Sequence, residues 1–228
     1  MQKKASSIMI YIDEAWRGPI AGPVVVGLVI GSQSTDRSWY QDSKSLTTKQ
    51  RRKLLDKIKS DPSIIIATWS ASAKEIDRNG IIRWLRWAVI RAIFVIARSA
   101  VKRNDVAIQW VEDKENMDRH ARPSLAMTNE LLKNLWPTTL IIDGNHTFWL
   151  EHELPVTITT IIKWDRNIPQ ISAASILAKT TRDELMIKLS SKYPWYRFEQ
   201  HMWYGTSKHY ATIAQLWLSE IHRKKWIR

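Results

Sequence analysis

Apolar and polar positions divide this chain into short extended runs and longer periodic ones. Ile8-Met9-Ile10-Tyr11-Ile12 is apolar and rich in β-branched residues, which predicts a buried strand delivering Asp13 and Glu14 at its end. The stretch from Gly22 to Gly31, with Val24-Val25-Val26 and Leu28-Val29-Ile30 between breakers, predicts a second strand hairpinned to the first. Ser63 to Thr68 predicts a third strand. Thr138 to Ile142, ending in Asp143, predicts a fourth, and Val156 to Ile162, running into Lys163-Trp164-Asp165, a fifth.

Helical spacing marks the segments between. Thr47 or Thr48 can cap a helix whose inner face is Leu54, Leu55 and Ile58. From Ile81 to about Val101 the residues Ile82, Leu85, Val89, Ala92, Ile93 and Ile96 recur at the spacing of a long amphipathic helix. Further helices are predicted from Ser124 to Leu135 and from about Gln170 to Ser190. In the second of these, Ser172-Ala173-Ala174-Ser175 permits close packing on a sheet, and Lys179, Arg182 and Lys188 form a basic side. Between about Asn104 and Pro123 the periodicity gives way to mixed charge, which reads as a surface insertion, with His120 as a solvated loop histidine. Early strands followed by alternating helices predict an α/β fold, a mixed sheet with helices on both sides.

Composition narrows the partners. The 228 residues are 44% hydrophobic, enough to bury a core, and carry a formal net charge of +13. Such an excess points to a polyanion, nucleic acid being the commonest. The chain has no cysteine, which excludes a disulfide framework and a thiolate zinc site. No apolar run approaches the roughly 20 residues of a membrane span. Met1 to Ser7 does not read as a signal peptide, because the apolar run after it is short and ends in acids. The expectation is a soluble, cytoplasmic monomer that does not engage a membrane.

Asp13, Glu14, Asp143 and Asp165 each fall at or just past the end of a predicted strand, where one sheet edge can gather them. Carboxylates brought together repel and raise one another's pKa values unless cations neutralise them. The matching cation is hard and oxygen-loving, Mg²⁺ or Mn²⁺. Two such ions about 3.5–4 Å apart activate a water and stabilise the leaving oxygen of a phosphodiester. The competing explanation is structural: Asp13 and Glu14 end a strand in a solvated turn, Asp143 ends a turn, and Asp165 caps a helix.

The run from Ile12-Asp13-Glu14-Ala15-Trp16-Arg17-Gly18-Pro19 to Val25 resembles the opening signature of the ribonuclease HII family. Further matches are Asp42-Ser43-Lys44 with Leu46, Ile142-Asp143-Gly144-Asn145, Lys163-Trp164-Asp165 with Ser172 to Lys179, His201 to Gly205, and Ile221-His222-Arg223. The resemblance implies an RNase H-like catalytic domain over residues 1–190 and a C-terminal helical, substrate-binding extension over 191–228. It implies cleavage of RNA in RNA/DNA hybrids, and 5′ to single ribonucleotides in duplex DNA, leaving a 3′-hydroxyl and a 5′-phosphate. Asp13, Glu14, Asp143 and Asp165 then match the family's catalytic, metal-binding acids for Mn²⁺ or Mg²⁺, with two ions expected. Trp16, Arg17 and Gly18 match the segment whose backbone reads the ribose 2′-hydroxyl. Tyr204 matches the tyrosine that packs on the neighbouring deoxyribose. Lys44, Ser172, Ser175 and Lys179 are candidate phosphate contacts, with close packing and solvated surface as the alternatives.

Tryptophan departs from the family in one direction. The chain has 13 tryptophans but only 7 glycines, under half the usual glycine share of about 7%. Trp16, Trp164 and Trp203 stand where the matching motifs have glycine, and Trp195 and Trp217 look the same. The expectation is that the gene uses UGA for glycine and that these codons were translated as tryptophan. If the tryptophans are literal, the alternative is a protein that binds nucleic acid without cutting it.

Overall fold

The computed structural model describes residues 8–15, 17–31, 43, 45–102, 138–162, 168–201 and 203–227. Each predicted strand forms: β1 (Ile8–Ala15), β2 (Val24–Gly31), β3 (Ile64–Ala71), β4 (Thr138–Asp143) and β5 (Thr157–Ile161). They make one sheet in the order β3-β2-β1-β4-β5. β2 runs antiparallel to β1 and to β3, whereas β1–β4 and β4–β5 are parallel. β1 is therefore central, and the parallel β1–β4 pair sets Ile12 beside Ile142. That register leaves Asp13 and Asp143 as the next residues of adjacent strands pointing the same way.

The helices are α1 (Thr48–Ser60), α2 (Ala73–Asn79), α3 (Ile81–Lys102), α4 (Pro169–Lys192), α5 (Phe198–His201) and α6 (Ser207–Leu216). Thr47 caps α1: its hydroxyl oxygen accepts from the Gln50 amide, and the Gln50 side chain accepts from the Thr47 amide. The same reciprocal box, Ser72 with Glu75, starts α2, which the hydrophobic pattern did not reveal. Seven residues are too few for a period to show, but Ser72-Ala73-Lys74-Glu75 carries the capping-box signature. The expected insertion at 104–123 and helix at 124–135 lie outside the described residues.

Period-two alternation sorts the strands' side chains onto two cores. On one face Ile10, Ile12, Leu28, Leu140 and Ile142 pack with Leu85, Val89 and Ile93 of α3. On the other, Tyr11, Val29 and Ile66 pack with Ile171, Ala174 and Leu177 of α4 and with Leu55 and Ile58 of α1. α4 approaches β2 so closely that a Cβ on Gly27 would lie 2.3 Å from the Ala174 carbonyl oxygen. Only glycine permits this approach. Arg51 ties α1 to α4: its guanidinium pairs with Asp183 at 2.9 Å and also donates to the carbonyls of Ser43 and Leu46. Among the described residues no helix is long and apolar enough to cross a membrane.

Beyond α4 the chain folds back onto the connection between β1 and β2. Residues 221–223 run against 20–22, with Gly22 N–H donating to Ile221 O at 2.8 Å and Arg223 N–H to Ile20 O at 2.8 Å. Tyr196, Phe198 and Trp203 form a small core there with Ala21 and with Met186 of α4.

Candidate active site

β1 and β4 carry the acids to one edge. Asp13 follows Tyr11 on the α4 face, and Asp143 follows Ile141 on the same face. Glu14 belongs by alternation to the opposite face, so only the strand end lets it share a site with Asp13. Asp13 is 8% exposed. One of its oxygens accepts the Glu14 amide at 2.8 Å, and Ser175 of α4 donates a side-chain hydrogen bond to it. The Ser175 hydroxyl also lies 2.7 Å from that of Ser43, so a buried hydroxyl pair backs the carboxylate.

Burial is the main reason the Asp13 carboxyl rises well above its ordinary range, and the charges of Glu14 and Asp143 add to it. Burial raises Glu14 to about 7, with Asp143 adding and Arg17 opposing. Arg17 Nε lies 2.7 Å from Glu14 Oε1, and its guanidinium sits over the Phe148 ring at 5.3 Å. Glu14 Oε2 is buried with no hydrogen-bond partner among the described residues. Three mutually repelling carboxyl groups and a buried oxygen lacking a donor suit a divalent cation, which would supply what the protein does not. Among the described residues no three acidic or histidine side chains already converge as a metal cage. Asp165, the expected fourth acid, lies outside the described residues, as do Trp16 and Lys44.

The other expected residues are placed as follows. Gly18 is exposed beside Tyr204: a Cβ there would lie 3.2 Å from Tyr204 Cε1. Tyr204 is 40% exposed. Ser172 and Ser175 are buried in the first turns of α4, and Lys179 lies one turn beyond Ser175, half-buried. The structure therefore brings together Asp13, Glu14, Asp143, Arg17 and Ser175 as one group, and Gly18 with Tyr204 as another. Sequence reading gave no role to Ser43, His209, His222 or Arg223, although all are almost fully buried. The available signals were the family matches at Asp42-Ser43-Lys44 and Ile221-His222-Arg223 and the concentration of histidine and arginine in the tail.

Buried acids at the edge of a β3-β2-β1-β4-β5 sheet flanked by helices define an RNase H-like α/β protein. The crystal structure of ribonuclease H2 from Pyrococcus horikoshii OT3 superposes with a TM-score of 0.66, covering 96% of this chain and 93% of that one at 22% identity. Bst-RNase HIII in complex with Mn²⁺ superposes at 0.55 and 16% identity, covering 82% of this chain and 55% of that one. The model of the Ribonuclease HII family matches residues 10–228. Ribonuclease HII of Coxiella burnetii (strain Dugway 5J108-111) is 35% identical over 225 residues, 98% of this chain and 91% of the relative. The chain belongs to the ribonuclease HII family and is an RNase H-type endoribonuclease, a hydrolase.

Proposed function

We propose that this enzyme hydrolyses the RNA strand of RNA/DNA hybrids and cuts 5′ to single ribonucleotides in duplex DNA, leaving a 3′-hydroxyl and a 5′-phosphate. The observation that carries this reading is the mutually repelling trio Asp13, Glu14 and Asp143 at adjacent strand ends, with a buried Glu14 oxygen that no donor among the described residues reaches. With Asp165, these acids would hold Mg²⁺ or Mn²⁺, two ions in the full site. The ions supply an activated water and charge stabilisation at the leaving oxygen.

The chain's own groups do the remaining work. Ser175, backed by Ser43, orients the Asp13 carboxylate. Arg17 holds Glu14 through one oxygen and leaves the other, buried without a donor among the described residues, to a cation. The backbone around Trp16, Arg17 and Gly18 meets the ribose 2′-hydroxyl, the group that distinguishes RNA from DNA. Tyr204, packed against Gly18, takes the adjacent deoxyribose. The basic chain, with Lys44, Lys179, and the serines Ser172 and Ser175 in the first turns of α4, tracks the phosphates. Residues 1–190 form the catalytic unit in this reading, residues 191–228 present Tyr204, and the enzyme acts as a cytoplasmic monomer.

The test is a DNA duplex containing one ribonucleotide, incubated with Mg²⁺ or Mn²⁺. Cleavage on the 5′ side of the ribonucleotide is expected, and cleavage that ignores the ribose would refute the substrate assignment. Asp13→Asn is expected to lower the rate by roughly a thousandfold, the scale of several kcal/mol of lost charge stabilisation, while sparing binding. Retained activity in that variant would remove Asp13 from the metal site.

A further inference from the structure

The tail residues 219–223 anchor both the Arg17–Gly18 backbone and, through His209, Tyr204. Arg223 is wholly buried, and its fork donates to three carbonyls of one loop: Arg17 O at 2.8 Å, Gly22 O at 3.0 Å and Pro23 O at 3.3 Å. A planar guanidinium can span these acceptors, whereas an ammonium cannot. The neighbouring His222 starts a chain of single-tautomer hydrogen bonds. Ser219 N–H donates to His222 Nδ1 at 3.0 Å, which leaves the His222 proton on Nε2. That proton faces His209 Nε2 at 3.0 Å, so His209 carries its own proton on Nδ1 and donates it to Tyr204 O at 2.9 Å. Both rings are buried, and only this direction of donation satisfies every nitrogen.

We propose that Arg223 and the His222–His209 pair are positioning residues for ribose recognition, Arg223 fixing the Arg17–Gly18 backbone and the histidines fixing Tyr204. Gly18 and Tyr204 touch, so an error in either anchor opens the surface between them. The inference rests on the assignment of that surface to the ribose and its neighbour.

The test is the binding preference for a duplex with one ribonucleotide over the same duplex in all-DNA form, measured without divalent cation. Loss of folded protein weakens both affinities alike and leaves the ratio unchanged, whereas a displaced sensor lowers it. Arg223→Lys and His209→Gln are each expected to lower the ratio by about tenfold, the scale of one or two lost hydrogen bonds. His209→Asn, whose amide can replace Nδ1 toward Tyr204, is expected to retain it. Variants that bind the all-DNA duplex as tightly as the parent and keep its ratio overturn the proposal alone. A parent with no preference overturns the ribose assignment and this inference with it.

Backbone geometry carries a second, independent inference. Among the described residues five non-glycines have positive φ, and three of them are tryptophans: Trp149 (57°), Trp203 (68°) and Trp217 (64°). Trp217 combines that φ with ψ of −172°, a region essentially reserved for glycine. The side chains offer no compensation there, since Trp217 is 82% exposed. Trp203 lies face to face on Phe198 with centroids 3.5 Å apart, closer than the offset arrangement aromatic pairs prefer.

We infer that positions 149, 203 and 217 are glycine in the natural protein, from UGA codons that its organism decodes as glycine. The backbone adds Trp149, which the motifs did not indicate. The codons in the gene, and the masses of tryptic peptides of the protein from its native source, test this. UGA codons with peptides lighter by the tryptophan–glycine difference are expected. UGG codons, or peptides of tryptophan mass, overturn it.

Discussion

Gly27 joins the sheet to the helix that backs Asp13, so Gly27→Ala tests how strictly that packing sets the candidate site. The added Cβ would stand 2.3 Å from the Ala174 carbonyl oxygen and 3.0 Å from the Ala178 amide nitrogen, where ordinary contact begins at 3.4 Å. Both obstacles are helix backbone, which no rotamer change can move. α4 must therefore shift away from β2 by roughly 1 Å, an overpacking that costs about 1–3 kcal/mol. For a chain of this size the melting temperature should fall by about 2–12 °C. Asp13 sits directly opposite Gly27 in the β1–β2 register, and Ser175 follows Ala174, so the shift also stretches the Ser175–Asp13 hydrogen bond. Thermal unfolding followed by circular dichroism, with cleavage of a ribonucleotide-containing duplex well below the transition, reads both effects. Wild-type stability and rate together would refute the claimed closeness of α4. Lowered stability with an unchanged rate would refute only its link to Asp13.

Two pH dependences follow from the buried groups. Glu14 is raised to about 7 from 4.5, so the folded state holds its proton longer than the unfolded one. Relative to Glu14→Gln, the metal-free protein should lose stability as pH rises from about 4.5 to 7, and added Mg²⁺ should release protons near neutrality; calorimetry in buffers of different ionisation enthalpy measures that release, and none would contradict the site electrostatics. His209 and His222 are depressed to about 4, mainly by burial. Their contribution to stability is complete above about pH 6.5 and should be lost progressively as pH falls toward 4. Their ring proton resonances should not move between pH 7 and 5.5, and titration near 6.5 would contradict the neutral hydrogen-bonded pair.

Much of the fold was legible because its signals are local. β-branched runs marked all five strands, and Leu54, Leu55 and Ile58 marked the inner side of α1. α2 escaped because seven residues cannot display a period, although Ser72 and Glu75 signal its start. Asp13, Glu14 and Asp143 were legible as a group for a similar reason: each ends an apolar run, and strand ends of one sheet share an edge. The roles of Ser43 and Arg223 were hidden because their partners lie far along the chain, and those of His209 and His222 because only the folded tail turns their rings toward each other and toward Tyr204. Arg223 meets Arg17 across 206 positions, and Ser43 meets Ser175 across 132.

The sequence by itself determined the elements, the acids at their ends, the basic surface and the excess of tryptophan over glycine. The first two follow from the composition or period of short stretches, and the last two from composition summed over the chain. Only the tertiary structure decided that the tail buries Arg223 beneath the Arg17–Gly18 loop, that two histidines share one proton direction toward Tyr204, and that Trp149, Trp203 and Trp217 sit in glycine's part of backbone space. Burial and left-handed φ are set by what the rest of the chain packs around a residue, and local sequence carries no record of that packing.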